Sequence, residues 1–588
     1  MLWFVVVASP SGSVTREVAD HLSSSDVSEV PARPARHHCW SAGDGTARVA
    51  TWETGSEPGT VVDGGGLTAV AGRPSLRRVP VRAEVPVATT ISETIRSAGW
   101  SAEDELLDAY ALVAFDEAGT GFVTMDPLGF HPLFWSAVGE VTVVGNRADL
   151  VAQVAAHQSG RPAGRDVMTA AWMAFAGRPP DDRTGFEDVT LLPQYTTAHI
   201  DHGRVVKVTR EPFHLCSPDL PLTDPHDIAE LLTADMTSVL RQAIARSPGP
   251  PELELTGGKD SRGVLAVAVA EGLAPALVCS SYGPETLPDV QVSRAVARSC
   301  GLRHVDTSDR HFLGAWTYSL VERFERHVQR TCGTSELGLA NEPPPPGPLS
   351  IAGLLGEVYR SPRDSDAFTP PRTWDEAAER FGTERRQGSL ALVRPDLAAS
   401  FADQALDRYL GARAQVRGPE ALRVAYTLRY LLPRSLGPLT ELNGHRVMPY
   451  YSPNAMRHML RAGHQARADE RVHRQLVERA GPALMAEPLA NQRWRWEAGV
   501  TGPPVKGAGN VRQTAAPATL DERSQLLLDL VDGHRQSAFF EVVDVDALTD
   551  AIRGLATRRP AERVQVLGAM AGLMWLEGLE RRRRVGDD

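Results

Sequence analysis

Cysteine is scarce. Five thiols (Cys39, Cys216, Cys279, Cys300 and Cys332) are scattered over 588 residues with no CxxC spacing. That offers no zinc site and suits reduced thiols in a cytoplasm. His37, His38 and Cys39 adjoin, but neighbouring ligands on a turn point different ways, which argues against a metal cluster. Positive charge is not in excess either. A net charge of −11 argues against nucleic acid as the main partner. The Arg581–Arg584 run sits beside Asp587 and Asp588 and reads as a solvated tail. Long apolar runs are missing. The opening Met1-Leu2-Trp3-Phe4-Val5-Val6-Val7 has no basic flank and is too short for a signal core or a span. It reads as a first, buried strand, and no membrane insertion is expected.

What remains is a chain with 42% hydrophobic and 23% charged residues, the balance of a globular protein. Its length exceeds one ordinary core, so two or more domains are expected. Residues 1–215 alternate β-rich runs with Gly, Asp and Pro turns, such as Thr60-Val61-Val62-Asp63-Gly64 and Val141-Thr142-Val143-Val144-Gly145. Residues 102–113 and 148–156 read as helices, and 114–116 begins a strand whose hairpin partner is 121–125. Antiparallel sheets with helices packed outside are expected. From 216 to 588 the pattern changes. Apolar residues from Ile228 to Ile244 recur at helical steps. A break, a strand, a glycine loop and a second helix follow, the order of a doubly wound parallel sheet with ligand at the carboxyl ends of its strands.

The loop itself is Leu255-Thr256-Gly257-Gly258-Lys259-Asp260-Ser261. Two glycines let backbone N–H groups approach an anion, and the next helix points its positive end at the same place. Asp260 can hold Mg²⁺, while Lys259 and Ser261 can donate to phosphate oxygens. The spacing is not that of the Gly-x4-Gly-Lys-Ser/Thr nucleotide loop.

This loop resembles the SGGxDS pyrophosphate loop of ATP pyrophosphatases that form acyl-adenylates. Asp126-Pro127-Leu128-Gly129 with Gly145-Asn146-Arg147, and Phe186 to Tyr195, are similar to the glutaminase domain of asparagine synthetases. The resemblance implies a glutaminase-like (Ntn) antiparallel β-sandwich followed by an ATP pyrophosphatase domain with added helices. It also implies ATP and Mg²⁺. That glutaminase needs a cysteine after the initiator Met; here the position is Leu2, so no glutamine hydrolysis is expected. The family's second-strand end lines the adenine, which points to Ser280 and Ser281. Its SGEGxDE element corresponds to Gly353-Leu354-Leu355-Gly356-Glu357. This makes Glu357 the second metal ligand, with Gly356 standing where an aspartate is expected. Residues 421–453 are a loosened copy of the family's acceptor segment and imply a different acceptor. There Arg434 is a candidate fork donor to phosphate or carboxylate, and Tyr450 and Tyr451 are candidates for a peptide groove. Lys506, in a Gly/Pro-rich run, corresponds to the family's lysine over the α-phosphate.

The altered loop, the Leu at position 2 and the Gly-Glu-Val-Tyr-Arg element together look most like lasso peptide cyclases. Such an enzyme adenylates an Asp or Glu side chain of a core peptide and closes a macrolactam on the peptide's α-amine. Its partners would be a ribosomal precursor peptide, a leader peptidase and a leader-binding protein. A β-lactam synthetase-like cyclase, an ammonia-dependent asparagine synthetase and a nucleotide-binding scaffold without catalysis stay open.

Overall fold

A computed structural model describes residues 2–12, 36–53, 59–77, 85–98, 106–179, 181–209, 224–281, 283–306, 319–336, 348–360, 370–387, 390–416, 418–431, 446–490, 494–495 and 517–578. The chain is a mixed α/β protein with antiparallel sheets and one parallel sheet.

Two six-stranded antiparallel sheets build the first part. One has the order Thr190–Leu191, Phe134–Val138, Val141–Gly145, Leu2–Ala8, Ala47–Glu53, Arg36–Ser41. The other runs Arg204–Thr209, Thr196–Asp201, Gly121–Met125, Tyr110–Phe115, Gly66–Gly72, Thr60–Asp63. Alternation sorts the opening strand between two cores. Leu2, Phe4, Val6 and Ala8 face the second sheet. Trp3, Val5 and Val7 face helices that include Ala148–Ser159 and Val167–Ala176. Helix Val87–Ala98 covers the far face of the second sheet through Val87, Ala88 and Ile91.

The helix expected over 102–113 is not what forms. Residues 106–107 and 110–115 are strands, with 99–105 outside the described residues. The reason is visible in the packing. Ala111, Val113 and Phe115 enter the inter-sheet core, while Tyr110, Leu112 and Ala114 enter the core under helix Val87–Ala98. A strand buried on both faces shows no polar alternation, so its period of two is invisible in the sequence. Residue 115 therefore ends a strand rather than beginning one.

The second sheet type is parallel, in the order His304–Asp306, Val278–Ser281, Glu252–Glu254, Ser350–Ile351, Arg446–Val447. Strand Glu252–Glu254 lies at the centre and pairs with both neighbours in parallel register. The strand order reverses between it and Ser350–Ile351. In open sheets of this kind ligands bind at the carboxyl ends of the strands beside such a reversal. Helix Pro225–Arg246 starts at Asp224, whose carboxylate accepts from His226 N, with Pro225 in the first turn. Helix Pro560–Leu576 returns to pack on Val167–Ala176. Cβ atoms added at Gly568 and Gly572 would fall 2.3 Å from Met173 O and 3.0 Å from Ala170 Cβ. No helix among the described residues is long and apolar enough to cross a membrane.

Candidate functional site

The reversal point brings loop 255–261 together with segment 353–360 and with Asp289, Tyr450, His473 and Ala490. The central strand ends at Leu255, whose N–H bonds Ser280 O at 2.8 Å. Thr256, Gly257 and Gly258 then turn the chain into helix Lys259–Ala270. Gly257 is required to be small, since a Cβ there would fall 2.4 Å from Ala490 Cβ. Its N–H donates to Asp289 Oδ1 at 3.1 Å. Ser261 Oγ turns back to accept from Thr256 N at 3.0 Å. Gly258 caps the helix with no side-chain hydrogen bond. The positive end of the helix is thus met by Asp260 in its first turn.

Asp260 is the centre of the site. Its Oδ1 accepts from Arg360 Nε at 2.9 Å and from His473 Nε2 at 3.1 Å, and its Oδ2 accepts from Arg360 Nη2 at 2.9 Å. Burial works against its charge. The hydrogen bonds from Arg360 and then His473 outweigh that and hold the carboxyl well below the usual range. An ionised carboxylate only accepts, so the shared proton sits on His473 Nε2. That leaves His473 Nδ1 buried with no hydrogen-bond partner. Asp260 keeps 22% of its side chain exposed and Arg360 keeps 18%, so the pair borders solvent.

Segment 353–360 lies flat against the loop. A Cβ at Gly353 would come within 2.6 Å of Ser261 N, and one at Gly356 within 2.5 Å of Asp260 Oδ1. Gly356 is a glycine because Asp260 leans on it. Leu355 adopts φ 73° to bring this about. Strand Ser350–Ile351 leads into the segment, which closes as a 3₁₀ turn, Gly356–Tyr359. Behind it, Tyr450 stacks on His473 with ring centroids 5.5 Å apart. Tyr450 Oη is buried without a partner, over Gly263.

The other predicted residues fall as follows. Lys259 does not face the loop opening. It is buried in an ion pair with Glu470, itself fully buried, and lies 5.7 Å from the ring of Trp494. Glu357 sits beside Asp260; burial, then the charge of Asp260, raise its carboxyl. The Ser280 hydroxyl is buried without a partner, and Ser281 Oγ bonds His304 Nε2 at 2.8 Å. Tyr450 and Tyr451 are both fully buried, so neither lines a groove. Arg434 and Lys506 lie outside the described residues. Cys39 and His37 share one face of an edge strand at 3.6 Å, and no group of three metal-binding side chains occurs among the described residues.

Magnesium at Asp260 and Glu357 does not fit this donor set. Mg²⁺ requires near-octahedral oxygen ligands. Both Asp260 oxygens already carry N–H donors. Glu357 is pushed toward its neutral form.

Sequence reading missed Arg360, His473 and Glu470. Arg360 was within reach, because it ends the Gly-Glu-Val-Tyr-Arg element. Lys259 also carried a signal, since Lys207, Lys259 and Lys506 are the chain's lysines. Nothing in the sequence around His473 and Glu470 announces their roles.

No family model matches the chain, and no curated protein matches it. Among solved structures it is similar to a glutamine phosphoribosylpyrophosphate (PRPP) amidotransferase from B. subtilis complexed with ADP and GMP. That match has 10% identity and a TM-score of 0.22 over 52% of this chain and 65% of that one. It is also similar, at 10% identity and a TM-score of 0.22, to a structure of the allosteric regulatory enzyme of purine biosynthesis. There it covers 52% of this chain and 81% of the other. The match spans just under two thirds of the first protein's length. At these TM-scores the likeness says nothing about activity.

Proposed function

We propose that the chain is an ATP-dependent, AMP-forming amide ligase, and that its substrate is a ribosomal core peptide closed into a lasso macrolactam. One observation carries the ligase reading. A charged, partly exposed Asp260 heads an uncapped helix, directly after a Gly-Gly turn, at the strand-order reversal of a parallel sheet. Helix dipole, glycine turn and strand-order reversal meet there, where an anion would be favoured. The peptide reading rests on the resemblance of the loop and of the Gly-Glu-Val-Tyr-Arg element to lasso peptide cyclases. With Tyr450 and Tyr451 buried, recognition of the peptide falls to other surfaces.

The chemistry is two substitutions. An oxygen of a substrate Asp or Glu carboxylate attacks the α-phosphorus of ATP, and the Pα–O bond to the β-phosphate breaks with its electron pair leaving on pyrophosphate. The peptide's α-amine then attacks the acyl carbon. AMP departs with the bonding pair, and the nitrogen gives up a proton. The peptide loses one water, and ATP becomes AMP and pyrophosphate. The loop's contribution is to orient the diphosphate so that attack and departure are in line. A leader peptidase and a leader-binding protein would deliver the core peptide.

The test is ATP–pyrophosphate exchange with candidate core peptides, followed by mass spectrometry for loss of one water. The wild-type chain should show exchange only when its peptide is present, and Asp260→Ala should abolish it. Exchange without any carboxylate substrate, or hydrolysis to ADP, would overturn the reading.

A further inference from the structure

A resemblance that implies magnesium meets a carboxylate that already accepts three N–H bonds, two of them from a guanidinium. We infer that Arg360 is the resident cation of the diphosphate subsite, and that ATP binding here does not depend on a metal held by Asp260. The inference rests on the ligase reading above.

Three observations support it. First, the guanidinium grips Asp260 through Nε and Nη2, both at 2.9 Å, and His473 takes a third position on the same carboxylate. A metal would have to expel this fork and then sit next to the cation it displaced. Second, Arg360 is fixed in place. The turn before it has no room for a Cβ at Gly353 or Gly356, so the segment cannot lift from the helix start without losing that contact. Third, the loop's own cation is committed elsewhere, while Arg360 keeps 18% of its side chain exposed. Lys259 closes on Glu470, and Arg360 closes on Asp260. A guanidinium matches phosphate oxygens as well as it matches a carboxylate. The group that answers Asp260 is therefore also the one suited to the β- and γ-phosphates, at a helix end that favours anions.

The experiment is equilibrium binding of ATP to the full chain, once in EDTA and once in Mg²⁺, for wild type, Arg360→Met and Arg360→Lys. Wild type should bind ATP in EDTA within a few-fold of its affinity in Mg²⁺. Arg360→Met should lose roughly tenfold or more in EDTA, the loss of one charge-assisted bond. It should regain much of this in Mg²⁺, because Asp260 is then open to the ion. Arg360→Lys, which keeps the charge without the fork, should fall between the two and guards against misfolding of the methionine variant. Wild-type binding that requires Mg²⁺, or an Arg360→Met chain that binds like wild type in EDTA, would overturn the inference while leaving the ligase reading standing. Failure of the wild-type chain to bind ATP in either condition would overturn both.

Discussion

Asp260 and Asp126 each gather several donors, and the kind of donor differs. Asp260 accepts three hydrogen bonds, two of them from a guanidinium. Asp126 accepts four, from Leu128 N, Phe130 N and His131 N and from Tyr451 Oη at 2.5 Å. Counting donors would make Asp126 the stronger acid. The reverse holds. Burial outweighs the bonds at Asp126 and raises its carboxyl. At nearby Asp108 burial prevails over the N–H groups of Met448 and Ala109, and with repulsion from Asp126 pushes the carboxyl up to about 7. At Asp260 the donors bring positive charge with them, and burial loses. Neutral donors build a joint, and charged donors keep an anion poised near solvent.

The joint is where the sandwich grips the segment after strand Arg446–Val447. Asp108 holds Met448, Asp126 holds Tyr451, and Asp235, forked by Arg77 at 2.8 and 3.0 Å, holds Ser452 Oγ at 2.5 Å. The largest effect is expected here. Asp126→Ala strands the backbone N–H groups of Phe130 and His131 and the Tyr451 hydroxyl in the interior, while Leu128 N keeps Tyr451 Oη, and should lower unfolding free energy by roughly 3–5 kcal/mol. Asp260→Ala should cost less stability, because the Arg360 it releases borders solvent and only His473 is left buried. Urea midpoints of the two variants decide this. Equal losses would break the distinction between joint and site.

A smaller effect sets the two regions apart by sign. Asp108 is raised, so between the ordinary carboxylate value of 3.8 and about 7 the folded chain keeps a proton that the unfolded chain has released. Stability from this group falls as pH rises through that window, by at most ~1.4 kcal/mol per pH unit. Asp260 is lowered, so its contribution is complete above 3.8 and fades only as pH drops below that value. Asp108→Asn should flatten the slope of stability between pH 4 and 7 even though the variant is weaker throughout. A slope left unchanged in Asp108→Asn would show that this carboxyl is not the group being titrated.

The sequence displayed the site better than the joint, for physical reasons. Glycines, a charged triplet and a helix start are local, and their meaning survives in one dimension. Gly257, Gly258 and Asp260 were legible, as were the strands at 2–8 and 121–125 and the helix of Pro225–Arg246. Partners arrive from 100 or 213 residues away, as Arg360 and His473 do at Asp260; only Arg360 sat in a recognisable element, and His473 left no local trace. Residues 110–113 of strand Tyr110–Phe115 were read as helix because both faces of the strand are buried. The adjacent Tyr450 and Tyr451 looked like groove lining. They are instead two core residues on opposite errands, Tyr450 over His473 and Tyr451 into Asp126.

The smallest expected effect is the sharpest probe of how independent the two regions are. Tyr451 Oη donates to Asp126 Oδ1 and accepts from Leu128 N at 3.0 Å. Tyr451→Phe removes both bonds but keeps the ring against Phe130, whose centroid lies 5.6 Å away. Asp126 retains its three backbone donors, so the loss should be about 1–2 kcal/mol. Its neighbour Tyr450 contacts His473, which contacts Asp260, so a displaced joint would have a short route to the site. If the phenylalanine variant is weaker in urea yet binds ATP as wild type does, the joint only supports the site. A shift in ATP affinity larger than threefold would instead show that the sandwich sets the geometry of the phosphate loop through these two tyrosines.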